Sequence, residues 1–391
     1  MATVKSTRKP RIWIKPAANE LLWSGHLYDY SGYAKANREV LFRLSKFLTI
    51  EATHDGITKE PRTVDQKTQD ALDAFYKDRT SRSAVLLRFY VPLLEKGDRY
   101  KICYTMMETE RVHPDFIHRL NNYYNEVWTP TDWNKQTLKS SGLTIPCYVM
   151  PLGVDQNVYK PGPTGQLPIC EKISGTFTMK EVPEGFIFLT VFQPTFRKGI
   201  PVMLQAFEEA FAGDPTVKLV LAATAHGFDA GWRRMVQQLC PRSSVYVMLG
   251  SYSEEEMATI YRSVHAYVST SMGEGWALPA TECAATSTPC ILPRHSAHLQ
   301  YANDENAYLI DPDELGTVSG SGCTCFWYQG MPFSLMGKNA KTQLVGHLKH
   351  VRYNYKAALQ KAEILSKRIR TQFTWDNTAQ LALKRLREIW K

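Results

Sequence analysis

The chain has 391 residues, 44% of them hydrophobic and 22% charged, which is too long for one hydrophobic core and ordinary for a globular protein of two domains. No apolar run reaches the roughly 18–20 residues of a membrane span, and the basic stretch Met1–Arg11 leads into neither an apolar run nor a small-residue cleavage site. A spanning helix and a secretory signal are therefore not expected, and a cytoplasmic chain is.

The net charge of +9 is unevenly placed. Residues 1–15 carry five basic side chains and no acid, and residues 338–391 carry thirteen Lys and Arg against three acids, so 16–337 is net acidic. A basic tail of this kind suits a polyanion, either a nucleic acid or an anionic membrane face that would hold the chain peripherally at the inner leaflet. It equally suits the solvated face of a long helix.

In chain order, short apolar runs alternate with helical patterns. Strands are predicted at Arg11–Lys15, Phe47–Thr53, Ala84–Phe89, Lys101–Met107, Glu126–Thr129 and Cys147–Met150. Helices are predicted between them at Tyr33–Lys46, Val64–Lys77, Asp115–Tyr124 and Trp133–Ser141, with Pro114 and Asp132 as start residues. The stretch Pro161–Gly185, rich in Pro, Gly, Thr and Lys, reads as a linker. Alternation then resumes, with strands at Phe186–Phe192, Lys218–Ala223, Val245–Leu249, His265–Thr270, Cys290–Pro293 and Ala307–Ile310. Helices are predicted at Ile200–Phe211, Ala230–Cys240, Glu254–Arg262 and Ala280–Thr286. Residues 313–337 look irregular, and two helices near 338–370 and 376–390 close the chain. Alternation on this scale predicts an α/β protein of two doubly wound, Rossmann-like domains facing across a cleft: an N-terminal domain over 1–160, a linker over 161–185, and a C-terminal domain over 186–375. Ligands of such sheets bind beyond the carboxyl ends of the strands, so a substrate belongs between the domains.

The eight cysteines sit mostly in apolar runs, as reduced core thiols do, and the Cys323–Cys325 pair has no partner pair at zinc spacing. Neither a metal nor a cofactor is expected.

Two constellations carry chemistry. In Gln193-Pro-Thr-Phe-Arg-Lys-Gly-Ile200, Arg197 and Lys198 stand at a helix mouth, where free N–H groups and the helix dipole already favour anions. A guanidinium and an ammonium there make a diphosphate clamp, or merely an exposed turn. In Ser269-Thr-Ser-Met-Gly-Glu-Gly-Trp-Ala-Leu-Pro-Ala-Thr-Glu282, the acids Glu274 and Glu282 flank the Gly275–Leu278 amides. Such a loop can offer N–H groups to phosphate and carboxylates to sugar and ribose hydroxyls; alternatively Glu282 is a helix-capping acid and Glu274 a surface charge.

The run Glu274-Gly-Trp-Ala-Leu-Pro-Ala-Thr-Glu-Cys-Ala-Ala-Thr-Ser-Thr-Pro-Cys-Ile291 resembles the E-G-F-G-L-P-x-x-E-A-M-A-x-G-x-P-V-I signature of glycosyltransferase family four, retaining enzymes of the GT-B fold. Arg197-Lys-Gly resembles the family's diphosphate site, Pro151-Leu-Gly-Val-Asp-Gln-Asn-Val-Tyr-Lys-Pro161 its interdomain stretch, and Asn125–Trp133 the strand before it. Phe373-Thr-Trp-Asp-Asn resembles the segment before a last helix that returns to the first domain, here 376–391.

The resemblance implies a retaining, metal-independent hexosyltransferase-like enzyme taking a sugar from a UDP- or GDP-linked donor to a hydroxyl acceptor, a glycan or lipid-linked saccharide, with the first domain holding the acceptor. It gives Glu282 the donor ribose, Glu274 the transferred sugar, Arg197 and Lys198 the departing diphosphate, and the backbone of Gly275, Trp276, Ala277 and Leu278 the cradle. Tyr30-Ser-Gly-Tyr33 resembles the family's first-domain glycine loop, with Gly32 facing the diphosphate. The family's usual first-domain His is replaced in Tyr104-Thr-Met-Met-Glu-Thr-Glu-Arg-Val-His-Pro114, and this resembles a subgroup with Glu there; Glu108 is the candidate, ahead of Glu110 and His113.

Trp276, Ala277 and Ser287 depart from the pattern, the last two standing where Gly is usual. Asp311-Pro-Asp313 mimics a metal-binding D-x-D but reads as a turn, and Asp155 as an interdomain structural residue. His54-Asp55, His295 and His298 follow strands and could approach the cleft. Alternative readings are transfer to hydroxymethylated bases of viral DNA, a non-catalytic nucleotide-sugar-binding protein, and a phosphorylase of the same fold.

Overall fold

A computed structural model describes residues 19–53, 63–76, 85–95, 97–173, 178–223, 228–317 and 326–391. The predicted strand 11–15, His54-Asp55, Cys323 and Cys325 lie outside these residues.

The first sheet takes β1 (Glu20–Gly25), β2 (Thr49–Thr53), β3 (Val85–Phe89), β4 (Tyr100–Tyr104), β5 (Glu126–Thr129) and β6 (Cys147–Val149), all parallel, in the order β2-β1-β3-β4-β5-β6. Its helices are α1 (Gly32–Leu44), α2 (Gln66–Asp73), α3 (Pro114–Tyr123) and α4 (Asp132–Ser140). Each starts on a side-chain cap: Ser31, Asp65, His113 and Thr131 accept from the first free N–H groups. β1 was not expected from the pattern. Its sequence Glu-Leu-Leu-Trp-Ser-Gly has no strict alternation, because a central parallel strand is buried on both faces.

Among the described residues the second sheet has eight strands in the order β14-β13-β12-β9-β10-β11-β7-β8. These are β7 (Cys170–Lys172), β8 (Thr178–Lys180), β9 (Phe186–Phe192), β10 (Val217–Ala223), β11 (Ser244–Leu249), β12 (Ala266–Val268), β13 (Cys290–Pro293) and β14 (Tyr308–Ile310). β7 and β8 form an antiparallel edge, so the stretch read as a linker contributes a hairpin to this sheet. The helices are α5 (Ile200–Phe211), α6 (Ala230–Leu239), α7 (Glu254–Arg262) and α8 (Leu278–Ala285). The six parallel strands follow the doubly wound order, with the reversal between β9 and β12. Ligands of such sheets sit at that reversal, and the loops leaving β9 and β12 carry both chemical constellations of the sequence.

The region expected to be irregular holds a two-stranded antiparallel ladder, β15 (Glu314–Thr317) and β16 (Pro332–Leu335). The last helical run is broken into α9 (Lys338–Tyr353) and α10 (Tyr355–Gln372) at Asn354, whose non-helical backbone (φ −121°, ψ 45°) ends one helix and opens the next. Asp313 is structural: its carboxylate accepts from the backbone N–H of Gly337, Asn339 and Ala340 and anchors the start of α9.

The final helix, α11 (Trp375–Trp390), returns to the first domain. Val154 N–H donates to Phe373 O, Thr378 Oγ1 to Pro151 O, and Arg385 forks onto Glu126, a carboxylate with no exposed surface. Asp155 belongs to the same seam, 3.8 Å from Arg43. Cys103, Cys147, Cys170, Cys240, Cys283 and Cys290 are free and buried.

Candidate active site

β9 ends in a single 3-10 turn, Phe196–Lys198, and Gly199 starts α5 at φ +64°. A Cβ at Gly199 would lie 2.1 Å from Thr270 O, so only glycine allows this loop to lie on the one leaving β12. The two loops are knitted together: Met272 N–H donates to Arg197 O, and Thr270 Oγ1 to the carbonyls of Lys198 and Gly199. This contact fixes the two cations against the glycine loop.

Arg197 bridges the domains. Its Nε lies 3.0 Å from Glu108 Oε2 of the first domain, and one terminal nitrogen is 3.2 Å from Glu274 Oε1 and donates to Gly273 O at 2.7 Å. Lys198 Nζ donates to the same Glu274 oxygen. Glu274 is 7% exposed and Glu282 6%, so neither is a surface charge. Burial alone would raise the Glu274 pKa, but the Lys198 and Arg197 charges overcome it and hold the carboxyl down to about 2. Burial and the Arg197 charge push Lys198 below the ordinary lysine value, with Glu274 opposing. Beside this cluster a pocket opens, lined by Thr190, Lys198, Tyr267, Ser269, Glu274, Ala277 and Pro279.

Glu282 lies in the second turn of α8 and forms a separate cluster. Its Oε1 accepts from Lys35 Nζ at 2.7 Å and its Oε2 from the Tyr261 hydroxyl at 3.2 Å. Three of the four groups singled out in the sequence thus meet at one point, and the fourth sits beyond the intervening turn. Ala277 caps α8 at φ +66° and has no side-chain oxygen to accept from the helix's first N–H groups. Leu278 faces the start of α1, 3.6 Å from where a Cβ on Gly32 would be. Gly275 lies against the Met106 side chain, and its carbonyl is 3.4 Å from Asn134 Nδ2.

Trp276 does not present its ring to the cleft. The indole is buried against Tyr301 and Phe373, with centroids 5.6 and 5.5 Å away, so only its backbone can serve a ligand. The carbonyl already accepts from Tyr301. The cradle role expected of this residue is a backbone one, which the buried ring leaves open; the size and apolarity of the side chain take it into the core.

Glu110 pairs with His295, Nε2 to Oε1 at 3.2 Å, and accepts from Ser334 Oγ at 2.6 Å. This contact joins the domains away from the cations. His113 caps α3 and packs on Phe326 and Trp327. His298 is fully buried near Glu274, and burial lowers its pKa to about 4.

Two further residues of the site carried no motif. Lys35 reaches Glu282 from α1, and Tyr328, which lies just before β16, is a phenol close enough to Glu108 that burial and that charge raise its pKa. A single lysine on an amphipathic helix, or a tyrosine in an irregular stretch, has no local signal. Only the partner brought up by the tertiary fold distinguishes it.

Residues 177–316 match the family described as "Glycosyl transferases group 1". No curated protein matches the sequence. Among solved structures, a glycosyltransferase from Rickettsia africae ESF-5 superposes with a TM-score of 0.68 at 12% identity, covering 96% of this chain and 100% of that one. Anabaena Alr3699/HepE, solved with UDP-glucose, gives 0.65 at 11% identity over 94% and 99%. Sucrose-phosphate synthase from Thermosynechococcus elongatus gives 0.65 at 12% over 95% and 98%. At such identities the likeness speaks for the fold. Residues 177–316 are thus similar to the glycosyl transferases group 1 model, within a chain whose two facing Rossmann-like domains have the GT-B fold.

Proposed function

We propose that the protein is a retaining glycosyltransferase that moves a sugar from a nucleoside-diphosphate sugar to a hydroxyl acceptor, a glycan or lipid-linked saccharide, without a metal ion. The observation that carries this reading is the convergence of Arg197 and Lys198 on Glu274 at the mouth of α5 and the edge of a pocket. Two fixed cations in a site shielded from water would stabilise the negative charge that develops on the leaving diphosphate, usually the largest catalytic contribution in such sites. Both cations are paired with carboxylates here, so an incoming diphosphate would compete with Glu108 and Glu274 for them. Glu274, ionised at neutral pH, is suited to accept from hydroxyls of the transferred sugar. Structures of Alr3699/HepE with UDP and with UDP-glucose support a nucleotide-sugar donor. Glu108, which reaches Arg197 from the opposite domain, would face the sugar or acceptor.

The test is incubation with a panel of UDP- and GDP-sugars, reading donor hydrolysis and thermal shift. Arg197→Ala should lower turnover by about a hundredfold or more, as loss of one transition-state donor commonly does, and Glu282→Ala should raise the donor KM, each in a folded protein. Full activity in both variants, or indifference of the wild type to every donor, would reject the reading.

A second reading, transfer to nucleic acid, rests on Lys349, Lys356, Lys367, Lys384 and Arg387, all exposed on α9–α11. Binding of duplex DNA that weakens steeply with salt would favour it. Flotation with anionic liposomes instead would favour attachment to a membrane face.

A further inference from the structure

Lys35 stands one turn into α1, and its ammonium crosses to the second domain. It lies 2.7 Å from Glu282 Oε1, 3.1 Å from Glu254 Oε2 and 3.2 Å from the Tyr159 hydroxyl. Its side chain is 14% exposed and that of Glu282 8%, so the pair is mostly shielded from water and one member cannot be removed cheaply. Glu254 opens α7, Glu282 lies in α8, and Tyr159 sits in the stretch joining the domains. One cation thus gathers two helices of the second domain and the joining stretch onto a helix of the first.

We propose that Lys35 is a positioning residue for the donor: it aims the Glu282 carboxylate at the ribose and links nucleotide binding to the approach of the two domains. The inference rests on the donor-site reading above. A carboxylate offers about four lone-pair positions, and Lys35 and Tyr261 occupy one on each oxygen of Glu282. The remaining two can accept the vicinal hydroxyls of a ribose. Without the ammonium, Glu254 and Glu282 would confront each other, and the repulsion would be relieved by taking up a proton or by separation of α7 from α8. Either response removes the fixed acceptor that a ribose diol needs. Lys35 also lies on the domain opposite to Glu282, so its bond to that carboxylate forms only when the domains meet.

The full chain is titrated with UDP and GDP and with the 2′-deoxy form of whichever binds more tightly. Lys35→Met should weaken ribonucleotide binding by about tenfold or more, the value of one charge-assisted hydrogen bond. It should also narrow the preference for the ribo over the deoxy form. Lys35→Arg should restore much of the affinity, and a Lys35→Met, Glu282→Gln double variant should bind no worse than Glu282→Gln alone. Lys35→Gln, which keeps a donor amide beside Glu282, carries the same expectation as Lys35→Met should that variant not fold. In turnover assays the defect should lie in the donor KM rather than in kcat. If Glu282→Gln weakens binding while Lys35→Met and Lys35→Gln match the wild type, the role assigned to Lys35 is wrong and the donor site stands. If neither nucleotide binds the wild type, or Glu282→Gln binds as well as wild type, the donor site itself has been misplaced.

Discussion

At the scale of single residues, the site shows how burial and neighbouring charge divide similar groups into different states. Glu274 is held ionised because two cations outweigh its desolvation, whereas His298, beside it, is kept neutral because burial dominates. Each has a consequence for acid stability. The ordinary His value is 6.5 and His298 lies near 4, so between those pH values the unfolded chain binds a proton that the folded one refuses. Stability should fall as pH drops through that window. For Glu274 the folded value of about 2 lies below the ordinary 4.5. Its contribution is therefore complete above 4.5 and lost as pH falls from there toward 2. Urea midpoints measured from pH 7 to 3 should show the His298→Gln protein flatter than wild type in the upper window, and Glu274→Gln flatter in the lower. Parallel curves for all three proteins would contradict these assignments.

At the scale of elements, helix ends do the positioning. Ala277 and Ser287 bracket α8 in the left-handed region, at φ +66° and +64°. Both positions hold Gly in the family pattern, and the backbone keeps a glycine conformation without the glycine. Ser287 N–H still closes the helix onto Ala284 O. The strain of a side chain there is about 1–2 kcal/mol, reduced by the greater unfolded-state freedom of glycine. Ser287→Gly should thus stabilise the protein by about 0.5–1 kcal/mol in chemical denaturation, and a loss of stability would contradict the strain argument. At α9, Asp313 stands in for a capping residue with three N–H bonds to its carboxylate. Asp313→Ala should cost about 1 kcal/mol, as the loss of a cap does, with no change in nucleotide binding.

At the scale of the molecule, two seams hold the domains. One is α11, clamped by the fork of Arg385 on Glu126, which also accepts from Trp128 Nε1 at 2.7 Å and Tyr100 Oη at 2.8 Å. Removing this buried acid strands three donors, one of them charged. Glu126→Ala should cost about 3 kcal/mol or more, read from denaturant midpoints. The other seam is the cleft, where Gly273 lies so close to the first domain that an added Cβ would be 1.8 Å from Glu108 O. Gly273→Ala should hold the domains apart. Because a displacement of about 1 Å at reacting groups can cost about a hundredfold, kcat/KM should fall by that order while the melting temperature barely moves.

Much of this was legible in the sequence, for local reasons. Alternating apolar runs and amphipathic helices revealed two doubly wound domains, since periodicity records which face of each element is buried. Arg197, Lys198, Glu274 and Glu282 could be picked out because a helix mouth and a glycine turn leave a continuous trace of a dozen residues. The ends of β9 and α5 fell where the pattern put them, at Phe192 and Phe211. The hairpin of β7 and β8 escaped notice because three-residue edge strands are too short to show a period. Lys35, Tyr328 and the pairing of Glu110 with His295 were decided by tertiary structure alone. Their partners lie 247, 220 and 185 positions away in the chain, and no local pattern records a contact made only when two separately folded sheets close on each other.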